Sequence, residues 1–324
     1  MSKKKVFNFL KYLLPILLGS FLIWYSLGKM TGQERQQLWE AMKSANPLWV
    51  SASLVFALLS HISRSYRWKF MLEPLGCHPK LKHSFIAVMT AYFANTFVLR
   101  IGEVLRGVVI SKLEPISFDK AFGTIVSERL ADLVMLILIM ATAVFLQSTA
   151  LIDFFKESAN PLPSIIALTL MLFIGIIGLR ILKNSKHPLM VKVRNFGLGI
   201  LEGVKSILKM KNNTAFIFHT IFIWTMYASM FWIMKYTVPS LGDAPLGVML
   251  TAFIAGGFSM SATNAGMGLY PIAMVAVFAN LFGYASQDAQ AFGWIVWTTQ
   301  TVFNIVFGGF CCLIFLFKLK KIKN

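Results

Sequence analysis

The stretch Val98–Gly107, VLRIGEVLRG, places two arginines and a glutamate directly after the apolar run SFIAVMTAYFANTF. Charged side chains are costly inside a bilayer, and those found there usually face the protein interior or a cavity and have a function. We expect Gly102 to permit a break in a helix at this point, with a half-helix that begins near Glu103. The stretch therefore predicts an interrupted membrane helix that carries functional charges.

The composition of the whole chain indicates a membrane protein. Of its 324 residues, 57% are hydrophobic and only 14% are charged, whereas soluble proteins carry about 25% charged residues. The formal net charge is +18, but the basic residues cluster in loops and at helix ends, as the positive-inside rule requires. We therefore expect an all-α polytopic membrane protein and no nucleic-acid partner.

The hydropathy pattern predicts a single integral membrane domain over residues 1–324, with six full transmembrane helices. The first is expected to be uncleaved, because its apolar run ends in bulky residues rather than in a small-residue cleavage site. Two further apolar stretches, 83–113 and 245–284, are interrupted by polar residues and glycines. Residues 183–213 are basic, and form either an amphipathic helix on the cytoplasmic face or an ordinary loop. The six spans are expected at 7–28, 47–70, 128–148, 163–182, 214–238 and 288–317.

The distribution of basic residues predicts that both termini are cytoplasmic. Two spans already lie between the basic loop at 71–83 and the basic segment at 183–213, so the stretch 83–113 must return to the side from which it enters. Its second limb is too short for a crossing, which favours a re-entrant hairpin. The same count makes 245–284 either a second hairpin or two full helices. Two hairpins that enter from opposite faces are typical of an inverted-repeat transporter.

The first interrupted stretch is the strongest candidate for a binding site. Exposed N–H groups at the start of a half-helix, with Arg100 and Arg106 nearby, favour the binding of an anion. Arginine binds phosphate with two parallel hydrogen bonds, and Glu103 lies three residues from each arginine, where it is expected to hold both. The alternative is that these charges form a structural pair at the water boundary.

Two further charged groups are candidates for the same site. Glu128 and Asp132 share a helix face, with Arg129 within reach of Asp132, at the expected start of the third span. They are interpreted as counter-charges or proton carriers, or else as a cluster at the interface. Arg64 and Arg67 are interpreted as anchors whose side chains extend to the interface beside Trp68, or as headgroup ligands. These residue types in membrane helices favour function.

The second interrupted stretch contains FSMSATNAGMGLYP, residues 258–271. Its polar residues are able to satisfy freed backbone groups and its glycines allow close helix approach. This predicts a second hairpin tip formed by Thr263, Asn264, Gly266 and Gly268. An ordinary kinked helix is the alternative.

Motifs that would indicate an enzyme are missing from the sequence. It has no nucleotide-binding loop, no metal-spaced cluster of cysteine and histidine, and no nucleophile with a matching base. Its three cysteines show no disulfide framework. We therefore expect no catalytic residues, no metal and no cofactor, and a function other than catalysis.

At these residues the sequence resembles the flippase-like transmembrane region of the lysylphosphatidylglycerol synthases. An R-x-G-E-x-x-R element is matched by Arg100, Gly102, Glu103 and Arg106, and an E-R-x-x-D element by Glu128, Arg129 and Asp132. The family's later proline-glycine-glycine-x-glycine turn is only partly matched. There Gly266 and Gly268 are kept, while Asn264 and Ala265 replace the proline and glycine and Pro271 stands where the family has a glutamate.

The resemblance implies a stand-alone member without the aminoacyl-transferase domain. We expect a translocator in the bacterial cytoplasmic membrane that moves an anionic or zwitterionic phospholipid, or a lipid-linked intermediate, between leaflets. One alternative is a non-transporting membrane partner of a lipid-modifying enzyme or glycosyltransferase. Another is an ion-coupled carrier of small anions. The sequence leaves the oligomeric state open.

Overall fold

A computed structural model describes residues 17–28, 30–147 and 210–323, together with positions 191 and 207. All regular structure in these residues is helical. The expected span at 163–182, the beginning of the first span and nearly all of the basic segment 183–213 lie outside the described residues. The helices, in chain order, are α1 (Leu17–Gly28), α2 (Gly32–Ser44), α3 (Pro47–Leu72), α4 (Leu81–Phe97), α5 (Ile101–Leu113), α6 (Phe118–Leu146), α7 (Asn213–Ile233), α8 (Leu246–Ala262), α9 (Leu269–Met274) and α10 (Ser286–Lys323).

Four helices of the described part, α3, α6, α7 and α10, are long and apolar enough to cross a membrane. Their outer faces carry large exposed apolar side chains, for example Ile137, Phe145 and Phe317. A water-soluble protein seldom exposes apolar surface on this scale. The expectation of an all-helical integral membrane protein is confirmed, while the total of six spans and the orientation of the termini stay predictions.

Helix α6 begins earlier than the sequence suggested. Its first residue is Phe118, ten residues before the expected start of the third span at 128. Glu128 and Asp132 therefore lie in the third and fourth turns of a long helix and are both buried. The interpretation of these carboxylates as a charged cluster at the start of a helix is wrong.

The first interrupted stretch forms a helical hairpin of α4 and α5. The break is at Val98–Arg100, and Arg100 itself takes the left-handed backbone conformation (φ 59°). Gly102 lies within the first turn of α5, so it does not form the break. A Cβ atom at Gly102 would lie 2.2 Å from the carbonyl oxygen of Ala91. The glycine is needed because it lets α5 pack directly against the backbone of α4.

The second interrupted stretch forms a similar hairpin. Helix α8 ends at Ala262, and six residues, Thr263–Gly268, separate it from α9. Ala265, Gly266 and Gly268 all have positive φ angles. Helix α9 then continues as a π-helix over Val275–Leu281. The structure therefore has a broken helix here rather than a kinked one.

The two hairpins approach α10 from opposite ends. Near the carboxyl end of α10, Lys318 donates a hydrogen bond to His83 at the start of α4, with an N···N distance of 2.8 Å. Near its amino end, Asp288 accepts a hydrogen bond from Ser240, which precedes α8. The tips meet between these ends, where Asn264 Nδ2 donates to the carbonyl oxygen of Phe97 at 2.9 Å. This arrangement is the one expected of opposed hairpins, although the membrane faces themselves stay predictions.

Helix α2 was not predicted. It begins with a capping box in which Thr31 and Glu34 each bond to the backbone N–H of the other. The signal in the sequence is the T-x-x-E spacing of Thr31 and Glu34.

Candidate anion-binding site

Five charged side chains from three helices meet in the interior of the bundle, and all are at most 7% exposed. Helix α3 contributes two of them, one turn apart on the same face, and α6 contributes two more, four residues apart. The fifth comes from α5 in the first hairpin. We call this set the charge cluster: Arg64, Arg67, Arg106, Glu128 and Asp132.

Glu128 is the centre of the charge cluster. One carboxylate oxygen lies 3.3 Å from Arg64 and 2.9 Å from Arg67, and the other lies 2.9 Å from Arg106. Because a buried carboxylate without a counter-ion would cost several kcal/mol, these three guanidinium groups account for its position in the interior. Glu128 therefore links the hairpin to α3.

Asp132 completes the pairing of the two α3 arginines. Its carboxylate accepts hydrogen bonds from Arg64 at 2.8 Å and from Arg67 at 3.1 Å. The indole of Trp224 approaches the same carboxylate, with an N···O distance of 3.4 Å. Arg67 also donates to the hydroxyl of Thr220 at 2.8 Å. Helix α7 thus supports the cluster with neutral polar groups.

A second ion pair lies at the edge of the charge cluster. Arg129 Nε is 2.8 Å from Glu103, and the two side chains are 45% and 35% exposed. Arg129 also lies 3.6 Å from Asp132, which is the contact that their spacing predicts. We call Glu103 and Arg129 the edge pair. Counting both sets, four arginines face three carboxylates, so the site carries one excess positive charge.

Arg106 has unused hydrogen-bonding capacity. Its guanidinium lies 4.0 Å from the ring centroid of Trp68, whose indole N–H donates to Thr124. The contact between Arg106 and Glu128 is an ion pair by distance, but the Nε and Nη2 groups of Arg106 form no hydrogen bond of good geometry. Arg106 is therefore held by the Glu128 carboxylate, which lies 2.9 Å from its Nη2 group, and by the indole, while its buried Nε group has no hydrogen-bond partner in the described residues.

Arg106 also lines a small cavity of about 20 Å³. A cavity of this size has room for about one water molecule. Members of both the charge cluster and the edge pair line it, together with neutral side chains of α4. The lining residues are Arg64, Val88, Ala91, Tyr92, Asn95, Glu103, Arg106 and Arg129.

The structure contradicts one expectation about the first hairpin, that Glu103 holds both Arg100 and Arg106. Arg100 is exposed and belongs to no ion pair in the described part of the chain. Glu103 pairs with Arg129 instead of holding Arg100 and Arg106 together. The reason is tertiary packing: α6 supplies partners for both side chains of α5, Arg129 for Glu103 and Glu128 for Arg106. The counter-charge of Arg106 is Glu128.

The interpretation of Arg64 and Arg67 as interfacial anchors is also wrong. Arg64 is 4% exposed and Arg67 is fully buried, as is Trp68. Their charges are compensated by Glu128 and Asp132, so these side chains do not need to reach the interface. Their spacing of three residues points them into the bundle.

The second hairpin tip adjoins this region but contributes no charge. Thr263 and Asn264 are each 1% exposed. The carbonyl oxygen of Ala265 accepts a hydrogen bond from Trp297 at 2.8 Å. Gly268 lies against α1, where a Cβ atom would be 2.7 Å from the carbonyl oxygen of Gly19. Gly266, with a positive φ, completes the turn.

Sequence reasoning missed several polar residues of the site. Asn95 accepts a hydrogen bond from the backbone N–H of Gly102 at 2.7 Å and so closes the first hairpin. The hydroxyls of Tyr92 and Tyr227 are 2.9 Å apart beside Arg64. The available signal was a polar side chain inside an otherwise apolar helix, which needs a partner in a membrane protein.

Comparison with known proteins places these features in a family. The family described as "Lysylphosphatidylglycerol synthase TM region" matches residues 12–319. A UPF0104 membrane protein of Methanocaldococcus jannaschii is 30% identical over 120 residues, which are 36% of this chain and 35% of that protein. The matched segment thus spans about a third of the relative's length. No solved structure matches the chain. The chain belongs to the family of the lysylphosphatidylglycerol synthase transmembrane region, as its R-x-G-E-x-x-R and E-R-x-x-D elements predicted.

Proposed function

We propose that the protein is a lipid translocator that moves an anionic or zwitterionic phospholipid, or a lipid-linked intermediate, between leaflets. The observation that carries this proposal is the charge cluster with its excess positive charge in the interior of an apolar helical bundle. We place the protein in a bacterial cytoplasmic membrane and propose that it acts without a catalytic step.

The energetic argument concerns the cost of the charge cluster. Buried ion pairs add little net stability, and apolar residues of the same size often serve stability as well or better. Five buried ionisable groups in membrane helices are therefore more readily explained by a ligand or a conformational change than by folding. Arg106 lines a cavity beside the charge cluster, and a guanidinium is a group suited to bind phosphate.

The broken hairpins support movement of the site. Irregular backbone at membrane depth is tolerated where protein buries it or where it lines a cavity. Here one hydrogen bond, from Asn264 to Phe97, joins the two tips. A hydrogen bond of this kind is able to break and re-form during a transport cycle, whereas the helices on either side stay intact.

The proposal is tested with the purified chain in proteoliposomes that contain acyl-labelled phospholipids. An impermeant quencher of the label reports the fraction in the outer leaflet over time. We expect faster exchange than in protein-free liposomes and in liposomes with a Glu128→Ala, Asp132→Ala double variant. Rates equal to those of empty liposomes for every headgroup class would reject the proposal.

A second candidate function is that of a non-transporting partner of a lipid-modifying enzyme. The observation that favours it is the compactness of the site, because all its carboxylates are paired and the cavity holds about one water molecule. Affinity purification from native membranes would then recover an enzyme in equal amount, and the purified chain would move no lipid.

A further inference from the structure

We infer that α2 is an interfacial helix that lies on the surface of the bilayer, and that one of its flanks binds the phosphate region of the lipid headgroups. This flank, which we call the α2 stripe, consists of Arg35, Trp39 and Lys43. Its partner is a phospholipid surface. Neither the charge cluster nor lipid translocation is required for this contact.

Short connections hold α2 at the boundary of the bilayer. Residues 29–31 join it to α1, and residues 45–46 join it to α3. Three residues of extended chain reach at most ~10 Å. Helix α3 is long and apolar enough to cross a membrane, and α1 is apolar over its described length. Helix α2 is therefore confined to the level at which these two helices leave the lipid.

The inner face of α2 packs on the helical bundle. Leu38 is buried there, and Ala41 and Met42 contact the same apolar core. The guanidinium Nε of Arg35 donates a hydrogen bond to the carbonyl oxygen of Leu27 in α1, at 3.0 Å. These contacts fix the rotation of α2 about its axis, so the same residues always face outward.

The α2 stripe runs along one flank of this inner face. Its members are spaced by four residues, and so they form a line along the helix. Trp39 follows the buried Leu38 and Gln37 precedes it. Because successive residues of a helix are rotated by about 100°, these two neighbours lie on opposite flanks. Trp39 is 58% exposed, and Arg35 and Lys43 are exposed on either side of it.

The two cations of the stripe have no carboxylate partner among the described residues. Lys43 Nζ instead lies 5.1 Å from the ring centroid of Trp39. Of the two glutamates of α2, one caps the helix and the other accepts a hydrogen bond from Gln36. Lipid phosphates would supply the missing negative charges, and basic residues beside an exposed indole are typical of interfacial helices.

Aromatic side chains of α1 lie at the same level. Trp24 and Tyr25 are exposed and lie within one turn of Leu27, the residue to which Arg35 bonds. Tryptophan and tyrosine are enriched at the headgroup level of membrane proteins. One turn earlier on α1, the exposed residue is the wholly apolar Phe21. The exposed side of α1 thus ends in aromatic residues close to the α2 stripe, as a bilayer boundary at this level predicts.

The test measures the surroundings of Trp39 in the full chain, reconstituted into phosphatidylcholine liposomes. The signal of Trp39 is the difference in emission between the protein and a Trp39→Phe variant. It is recorded with lipids brominated close to the headgroup, with lipids brominated near the chain end, and with iodide in the water. We expect the shallow bromines to quench this signal at least about twofold more strongly than either the deep bromines or iodide.

A pair of charge variants tests the role of the cations. Arg35→Gln, Lys43→Gln and the matched control Gln33→Glu, Gln37→Glu each lower the net charge by two, on opposite flanks of α2. Each is measured against its own Trp39→Phe counterpart. Because a basic residue near a lipid surface adds to the attraction, we expect the first double variant to reduce shallow quenching at least about twofold. The control should leave it unchanged.

Each other outcome overturns the inference. Quenching by iodide without quenching by bromolipids would place the stripe in water, and stronger quenching by the deep bromines would place Trp39 in the hydrocarbon core. Equal loss in both double variants, or no loss in either, would show that the two cations bind no phosphate. These measurements need no lipid movement, so they hold whether or not the protein translocates lipid.

Discussion

The two hairpins share their backbone design and differ in their charges. Each consists of two short helices with a non-helical break, and each packs against a glycine of α10. Gly308 contacts the backbone of Met89 in α4, and Gly293 contacts Pro271 in α9. The first hairpin, however, carries Glu103 and Arg106, whereas the tip of the second carries only neutral polar groups.

This difference indicates a division of roles. The first hairpin brings an arginine to the charge cluster, so its position decides the electrostatics of the site. The tip of the second hairpin is joined to the first hairpin by a hydrogen bond between neutral groups, from Asn264 to the carbonyl oxygen of Phe97. We therefore expect charge-changing variants to act mainly through the first hairpin and packing variants through the second.

The largest effect is expected when the buried carboxylate at the centre of the cluster is removed. Glu128→Gln leaves three arginines with a weakened partner, and we expect the free energy of unfolding to fall by about 3–5 kcal/mol. The measurement is the thermal unfolding of detergent-purified protein. Glu103→Gln is the control and should cost at most about 1 kcal/mol, because the edge pair is partly exposed. Equal losses in both variants would contradict the assignment of Glu128 as the counter-charge of Arg106.

The two arginines of VLRIGEVLRG should differ in their effect on transport. Arg106→Lys removes the planar group that binds a phosphate with two hydrogen bonds, and we expect lipid exchange to fall about 10–100-fold, in the range of 1.4–2.8 kcal/mol. Arg100→Lys should stay within about twofold, because Arg100 is exposed and outside the cluster. Exchange rates in proteoliposomes at equal protein density provide the measurement. A larger loss at Arg100 would place the binding site at the tip instead.

The contact between the tips should have a smaller energetic effect. Asn264→Ala removes the donor to the carbonyl oxygen of Phe97, and a hydrogen bond of this kind contributes about 0.5–1.5 kcal/mol. Ser261→Ala serves as the control, because Ser261 is exposed and bonds only to its own helix. Its cost should be below about 0.5 kcal/mol. A stable Asn264→Ala variant with unchanged transport would show that the tips do not act together.

The orientation of the hairpins is tested by labelling, without an expected change in stability. Burial raises the pKa of the Cys77 thiol, and the nearby Glu114 carboxylate raises it further, so this cysteine should react poorly from either side. We therefore use His78→Cys, at an exposed position beside it, and Asp243→Cys. With an impermeant maleimide on intact cells, Asp243→Cys should be labelled and His78→Cys should not. The opposite pattern would reverse the predicted topology.

The sequence predicted the class of fold because hydropathy reports burial in lipid directly. Apolar length identified α3, α7 and α10 to within a few residues. It failed at the start of α6, because the first ten residues of this helix include the charged Asp119 and Lys120 and are not apolar enough to be predicted as part of a span. It also failed at α2, an amphipathic helix too polar to register as a span.

The sequence predicted which residues form the candidate site, but it did not predict which of them pair with one another. Residue types and spacing selected Arg64, Arg67, Arg106, Glu128 and Asp132, and these do meet in the structure. Local spacing suggested that charges on α5 pair with one another, whereas the pairs form between helices. Such tertiary pairs depend on the approach of helix backbones, which sequence spacing alone does not report. The contribution of Asn95 was hidden for the same reason.

Arg106 stacks on Trp68, so the fluorescence of this tryptophan should report changes at the charge cluster. The fluorescence of an indole is sensitive to nearby charge, and here a guanidinium lies 4.0 Å from the ring centroid. A ligand that draws Arg106 into the cavity would move this charge away from Trp68 and change its emission. Trp68 is fully buried, so quenchers in the water should leave that change undisturbed. Because the chain has eight tryptophans, the difference in emission between the protein and a Trp68→Phe variant would then report occupancy of the site, by a signal that needs no transport to occur.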